Sequence, residues 1–277
     1  MDKLLIRKAD GTTEVFKEDK LVSSLRKAGA NDENIKKVVD HVRAEIGTDV
    51  TTDDIFRHAF HILSQLGGAS AAKYSLRRAI SQLGPSGFPF EQFMSRVLNE
   101  IGYTSRTNVV VNGKCAEHEI DIVAEDSETI VFIEAKFHND ASIKSDMKVA
   151  LYVQARHDDL IKNNFAHYGD NGKKCEFWLM TNTKFTSNVI HYAKCVGLKI
   201  VGWSYPHKEN LQNMIEDSGL QPLTCLTSLS QEEKNYLLSK EVVLCKSLKD
   251  HPHFLEMAGL DSMRAKHVIE EISGLSS

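Results

Sequence analysis

Two periodicities alternate along this 277-residue chain, and they divide it into segments before any side-chain chemistry is considered. Near the start, 4–8 and 13–16 read as short strands joined by Ala9-Asp10-Gly11, a hairpin signal. Helical spacing follows at 19–28, at 32–46 with Ile35, Val38, Val39 and Val42 on one face, at 52–66 and at 69–83. Thr51-Thr52-Asp53-Asp54 offers an N-cap and an acidic first turn for the third helix. The turn-rich run Gly84-Pro-Ser-Gly-Phe-Pro then breaks the pattern.

Beyond it the pattern predicts a helix at 90–101 stopped by Gly102, and strands at 107–111, 118–124 and 129–137. A helix at 142–163 carries the apolar stripe Val149, Val153 and Leu160; strand 175–181, helix 187–196 and strand 198–203 complete the segment. A sheet served by flanking helices, α/β in class, is the natural packing of that order. Breaks near Pro206 and Pro222 lead into an all-helical end, with a capping box at Ser230-Gln-Glu-Glu and helices at 241–258 and 261–273 around Gly259. The expected organisation is therefore multi-domain α/β: a hairpin-plus-helices unit at 1–84, a sheet domain at 88–205 and a small helical region at 206–277.

Composition keeps this picture and narrows it. Apolar residues make up 42% and charged residues 26%, as in ordinary globular protein. No apolar run approaches the ~20 residues of a membrane span, and the first residues lack a signal-peptide pattern, so no membrane partner and cytoplasmic residence are expected. The five cysteines are scattered and never closer than 20 residues, which fits neither a disulfide framework nor a paired-cysteine zinc site. Net charge is −4, with 14 basic residues against 12 acidic over 1–85, 13 against 15 over 86–205, and 7 against 11 over 206–277. Phosphate contact, if made, must come from a local patch rather than from bulk charge.

The chemistry concentrates on two of the central strands. Asp121 lies in Glu119-Ile-Asp-Ile-Val-Ala, and Glu134 and Lys136 lie in Phe132-Ile-Glu-Ala-Lys-Phe. Two carboxylates at the ends of adjacent strands can hold a divalent cation, and Lys136, two residues beyond Glu134, points to the same face of its strand. Charges are costly in such apolar runs unless they have a partner or a task.

With its surroundings this trio resembles the restriction-endonuclease-like PD-(D/E)XK nucleases, in the branch of the methylated-DNA restriction enzyme and the archaeal Holliday-junction resolvases. The resemblance rests on the opening helix from Phe90-Glu-Gln-Phe, on Glu119-Ile-Asp-Ile-Val, on Ile133-Glu-Ala-Lys, and on Met180-Thr-Asn-Thr-Lys-Phe-Thr with Ala193, Gly197 and Leu198-Lys-Ile-Val-Gly. It implies that Asp121, Glu134 and the main-chain carbonyl of Ala135 ligate Mg²⁺ or Mn²⁺. Lys136 would orient or deprotonate the attacking water and stabilise the transition state. Glu91 would complete the metal site through water, and Gln154 on the next helix would support it. Where many relatives have a glycine-rich approach, this chain has Cys115-Ala-Glu-His-Glu, and His118 there could polarise water, touch phosphate or be structural.

The amino-terminal segment is similar to the ATP-cone, a regulatory nucleotide-binding domain. The similarity lies in Ile6-Arg-Lys-Ala-Asp-Gly-Thr-Thr-Glu-Val-Phe-Lys-Glu-Asp-Lys-Leu and in the closing Ala72-Lys-Tyr-Ser-Leu-Arg-Arg-Ala-Ile. It implies that Lys8 and Lys20 hold the phosphates of ATP or dATP and that Glu14 faces the nucleoside, with Lys73 and Arg77 as further phosphate contacts. No P-loop is present, so hydrolysis of the nucleotide is not expected.

Together these resemblances imply a Mg²⁺-dependent endonuclease, acting on DNA with RNA not excluded, controlled by a nucleotide effector and working as a homo-oligomer. The alternative is a nucleotide-sensing DNA-binding regulator that uses the nuclease fold without cleavage. Cleaving both strands needs two active sites, which is the reason to expect a symmetric assembly.

Overall fold

In a computed structural model, residues 5–7, 12–45, 50–66, 68–163 and 173–275 are described. The chain falls into two compact units, one of 1–79 with 221–277 and the other of 80–220. The first boundary lies a few residues before the turn-rich break, and the second lies near Pro222 rather than Pro206. The reason for the latter is local: the helix at Leu211–Ser218 packs on Phe88–Glu100 of the sheet unit. Residues 221–277 instead join the first unit, where the Thr224 hydroxyl donates to the Ala79 carbonyl at 2.6 Å.

The first unit opens with β1 (Leu5–Arg7) antiparallel to β2 (Thr13–Val15), as the hairpin signal predicts; the turn itself lies outside the described residues. A third strand, β3 (Val50–Thr51), pairs parallel to β1, and nothing local in its two residues announced it. Helices α1 (Glu18–Lys27), α2 (Asp32–Glu45), α3 (Thr52–Leu66) and α4 (Gly68–Ser81) follow the expected spans closely. Their apolar stripes meet in one core, with Leu25, Val38, Val42, Ala59 and Leu63 fully buried.

The sheet unit begins past Gly84, where any Cβ would lie 2.0 Å from the Ser86 carbonyl oxygen, so only glycine fits this turn. Helix α5 (Phe88–Glu100) buries Phe90, Phe93, Met94, Val97 and Leu98. The strands are β4 (Thr104–Asn112), β5 (Glu117–Glu125), β6 (Thr129–Lys136), β7 (Lys144–Ser145), β8 (Lys174–Thr181), β9 (Lys184–Phe185) and β10 (Lys199–Val201). Five of them form one mixed sheet in the order β10-β8-β6-β5-β4, with β4, β5 and β6 antiparallel and β6, β8 and β10 parallel. Helices α6 (Met147–Ile161) and α7 (Ser187–Val196) make the parallel crossovers and close a core around Phe132, Val153, Leu160, Leu179 and Val189.

Helix α6 starts five residues later than the periodicity predicts. Lys144 and Ser145 instead pair with β9, and Asp146 caps the helix by accepting from the Lys148 amide at 3.0 Å. A strand of two residues depends on a partner 40 positions away, so the local pattern could not reveal it. The remaining helices among the described residues are α8 (Leu211–Ser218), α9 (Gln231–Ser239), α10 (Cys245–Asp250), α11 (His253–Met257) and α12 (Ser262–Leu275), with a 3₁₀ turn at Leu223–Cys225. The capping box at Ser230 and Glu233 forms in both directions. The helix expected at 241–258 is instead two short ones broken at His251-Pro252, where proline restricts the residue before it to extended backbone.

Candidate functional site

Asp121 occupies a gap in the sheet. On one side, the β5–β6 ladder stops at Ile122 opposite Ile133, one position before Asp121 and Glu134 would face each other. On the other side, β4 and β5 pair at Thr107–Ile122 and at Val109–Ile120, but not at the intervening Asn108–Asp121 position. Asn108 there has φ +53°, a left-handed conformation that asparagine tolerates better than most residues. In place of the missing β6 ladder, the Asp121 carboxylate accepts the Ala135 amide at 2.7 Å.

Around this gap the structure gathers four of the expected residues. Glu134 lies on β6 with its side chain 19% exposed, Ala135 follows it, and Lys136 ends the strand exposed to solvent. Glu91 comes from the first turn of α5. Gly87 before it leaves room for the Glu91 carboxylate, since a Cβ would sit 3.1 Å from Oε1. The Phe90 and Phe137 rings, 5.6 Å apart, bring the start of α5 against the exit of β6.

The electrostatics are those of crowded, half-dried carboxylates. Burial, reinforced by Asp121, pushes Glu134 up to about 7, against the downward pull of Arg156 and Lys136. Glu91 rises to about 7 as well, through burial first and then through Asp121, Glu134 and Glu119. Asp121 is raised by burial, opposed by the Ala135 amide and Arg156. Each carboxylate favours neutrality in its neighbours, so the cluster attracts positive charge.

Within the protein that charge comes from Lys136 and, in direct contact, from Arg156 on α6. Its Nη1 donates to Glu134 Oε2 in a short ion pair between side chains 11% and 19% exposed, and its guanidinium lies 4.9 Å from the Tyr152 ring centroid. Arg156 is not among the residues expected at the site, although the sequence carries a signal for it. Arg156 extends the apolar stripe Val149, Val153 and Leu160 at spacings of four, three and four, so a charge falls where the helix turns inward. Gln154, which was expected to support the site, instead directs its amide nitrogen to His157 Nδ1 at 3.0 Å and Asp158 Oδ1 at 2.8 Å on its own helix.

His118 has a structural role. Its Nε2 lies 2.9 Å from Asp159 Oδ2, and Asp159 also accepts the amides of Cys115 at 2.9 Å and Ala116 at 3.2 Å. These contacts tie the β4–β5 hairpin to α6 and hold Asp159 down at about 2, the His118 hydrogen bond contributing most.

For a metal, the donors that the resemblance implies are the Asp121 and Glu134 carboxylates and the Ala135 carbonyl, hard oxygens that suit Mg²⁺ or Mn²⁺ with water completing the shell. Among the described residues no group of three or more His, Cys, Asp or Glu side chains is arranged to hold a metal ion by itself. Burial raises Glu91, Asp121 and Glu134 together, and a cation would offset that cost, so the donor set of hard oxygens fits one.

In the first unit, Lys20 Nζ lies 3.0 Å from both oxygens of Glu14, which brings together two of the expected nucleotide contacts. Lys73 is exposed on α4, and Arg77 follows one turn later, lowered by burial. Lys8 lies outside the described residues. Beside them, Phe60, Phe56 and Tyr74 stack in series with centroids 5.8 and 5.2 Å apart; Arg78 lies 5.0 Å from the Phe56 centroid and bonds Asp53 at 2.9 Å.

Comparison with known proteins places the chain. Residues 222–276 match the family model described as AF1548-like, C-terminal. The solved structure titled "Crystal Structure of Protein of Unknown Function AF1548" is 34% identical, covers 69% of this chain and 98% of its own, and superposes with a TM-score of 0.56. This chain belongs to the AF1548-like family. An uncharacterized protein of Archaeoglobus fulgidus is also 38% identical over 179 residues, 64% of this chain and 97% of its own length. Residues 4–83 match the ATP cone domain, so this AF1548-like chain carries the domain that its first 20 residues suggested. Among the described residues no helix is long and apolar enough to cross a membrane.

Proposed function

We propose that this AF1548-like protein is a metal-dependent endodeoxyribonuclease governed by ATP or dATP at its ATP cone. The single observation that carries the reading is the gap at Asp121, where both ladders lapse and Glu91, Asp121 and Glu134 crowd together with Lys136 beside them. The α5-β4-β5-β6-α6-β8-α7-β10 order also supports it, because the resemblance implies an opening helix ahead of two strands that carry the acidic residues, here β5 and β6.

Asp121, Glu134 and the Ala135 carbonyl would hold Mg²⁺ or Mn²⁺, which when bound polarises a phosphodiester and its attacking water. The chain's own groups do the rest. Lys136 sits at the open end of β6 to orient that water and to take up charge developing on the phosphate. Glu91 would complete the metal's shell through water, as the resemblance implies, and Asn108 keeps the Asp121 backbone clear of the neighbouring strand. DNA is the expected partner, with RNA open to the same chemistry, and a homo-oligomer is the expected assembly. The cone acts as a linked input: nucleotide binding shifts the balance between arrangements, and the substrate shifts nucleotide affinity by the same factor.

The test is plasmid nicking with Mg²⁺ across an ATP and dATP titration, for wild type, Asp121→Ala and Lys136→Ala. Cleavage that survives in both variants would sink the nuclease reading. The second reading, a nucleotide-sensing regulator that grips DNA without cutting it, is favoured by one observation: Arg156 already occupies Glu134 Oε2. Nucleotide-dependent DNA binding in EDTA, with no cut ends after Mg²⁺ is added, would establish it.

A further inference from the structure

We infer that Arg156 is the built-in counter-cation of the carboxylate site, holding Glu134 in the cation-free protein and giving way to a divalent metal when one binds. This rests on the metal-site reading above and adds to it a competition between a side chain and the ion.

Three observations carry the inference. The first is position: Arg156 Nη1 bonds Glu134 Oε2, one of the oxygens a cation would need. On the α6 side of Glu134 the cavity bounded by Arg156, Val153 and Phe177 measures only about 10 Å³, room for no more than one water. An ion that takes Oε2 from that side must therefore displace the guanidinium.

The second is imperfection. A buried ion pair adds stability only where its remaining donors are also satisfied. Arg156 Nε is buried with no hydrogen-bond partner, so the pair is not completed as a structural one would be. Releasing the guanidinium frees an unsatisfied donor as well as breaking a bond, which lowers the cost of the exchange.

The third is a place to go. Tyr152 is 52% exposed, and its ring centroid lies 4.9 Å from the guanidinium carbon. A guanidinium can slide over such a ring face towards solvent and keep a cation–π contact. Once there, it presents a planar fork of donors at the rim of the site, suited to a phosphate oxygen.

Isothermal titration of the full-length protein with Mn²⁺, without DNA, tests this in wild type, Arg156→Gln, Arg156→Lys and Glu134→Gln, with circular dichroism confirming that each is folded. Arg156→Gln is expected to bind Mn²⁺ about tenfold more tightly than wild type. Arg156→Lys, which keeps the charge on a more flexible, more strongly hydrated head, should fall between them and serves in place of Arg156→Gln should that variant not fold. Glu134→Gln should lose binding. Equal or weaker Mn²⁺ affinity in the folded Arg156 variants, with binding still lost in Glu134→Gln, overturns the competition alone. Failure of Mn²⁺ to bind wild type and the Arg156 variants alike, or binding in Glu134→Gln as strong as in wild type, overturns the metal-site reading and the inference with it.

Discussion

Asp121 and Ala135 are joined by a side-chain hydrogen bond of 2.7 Å at the point where their strands stop pairing. The carboxylate thus replaces one rung of the ladder while leaving its other oxygen free of that bond. Asp121→Asn keeps an acceptor for the Ala135 amide but removes the charge. It is expected to abolish Mn²⁺-supported cleavage with little loss of stability. Asp121→Ala leaves the amide unsatisfied and should cost a further ~1–3 kcal/mol in urea unfolding. Equal stability of the two variants would contradict this division of roles.

Asn108 holds the opposite side of the gap open through its left-handed backbone. Asn108→Gly should be tolerated, because glycine adopts positive φ without a Cβ clash. Asn108→Val should lose about 1–3 kcal/mol or pull the strand back into register, because a β-branched residue resists that conformation. Chemical denaturation of the two variants, compared with their cleavage rates, checks both effects.

The raised carboxylates predict how the cation-free protein responds to pH. Glu91 and Glu134 titrate near 7 in the folded state and near 4.5 when unfolded. The folded protein therefore retains protons that the unfolded chain has released, and stability falls as pH rises from about 4.5 to about 7. Thermal unfolding in EDTA should show Tm declining across that window and levelling off above it. Glu134→Gln should flatten the decline, and Mn²⁺ affinity should rise over the same interval because protons and metal compete.

The β4–β5 hairpin depends on the approach of Gly113 to Asp159. A Cβ at Gly113 would lie 2.1 Å from Asp159 Oδ2 and 2.9 Å from the Ala116 carbonyl. Gly113→Ala and Asp159→Ala should each speed amide exchange at Cys115 and Ala116 several-fold, one by crowding the clamp and the other by removing it. Asp159 is depressed to about 2 from 3.8, so its share of stability is present above pH ~3.8 and is lost as pH falls towards 2. Unchanged exchange in both variants would show that the hairpin is held elsewhere.

In the ATP cone, the Lys20–Glu14 pair is solvent-exposed enough for a triphosphate to compete for the lysine, whose side chain is 59% exposed. Lys20→Ala should weaken ATP binding about tenfold. Glu14→Gln should alter the preference between ATP and dATP more than it alters overall affinity. Calorimetry with each nucleotide separates these outcomes.

Much was legible in the sequence where the information was local. Periodicity placed α3 at 52–66 and α7 at 187–196, and the spacing of Ser230 and Glu233 specified a capping box that forms in both directions. The first 20 residues pointed to the ATP cone that the family comparison bears out. Asp121, Glu134 and Lys136 could be named together because two short apolar strands each carried charge.

Other features were set by contacts the local pattern does not encode. Strands β3, β7 and β9 are two residues long and exist only through partners distant in sequence. The attachment of 221–277 to the first unit depends on packing across some 140 intervening residues. At the site, the sequence alone determined which strands carry the carboxylates. Only the tertiary structure decided that the sheet opens on both sides of Asp121, that Gln154 turns along its own helix and that Arg156 reaches Glu134. The physical reason is that strand alternation and helical period fix the direction of a side chain relative to its own element. Which charge it meets depends on how α5, α6 and the sheet pack together.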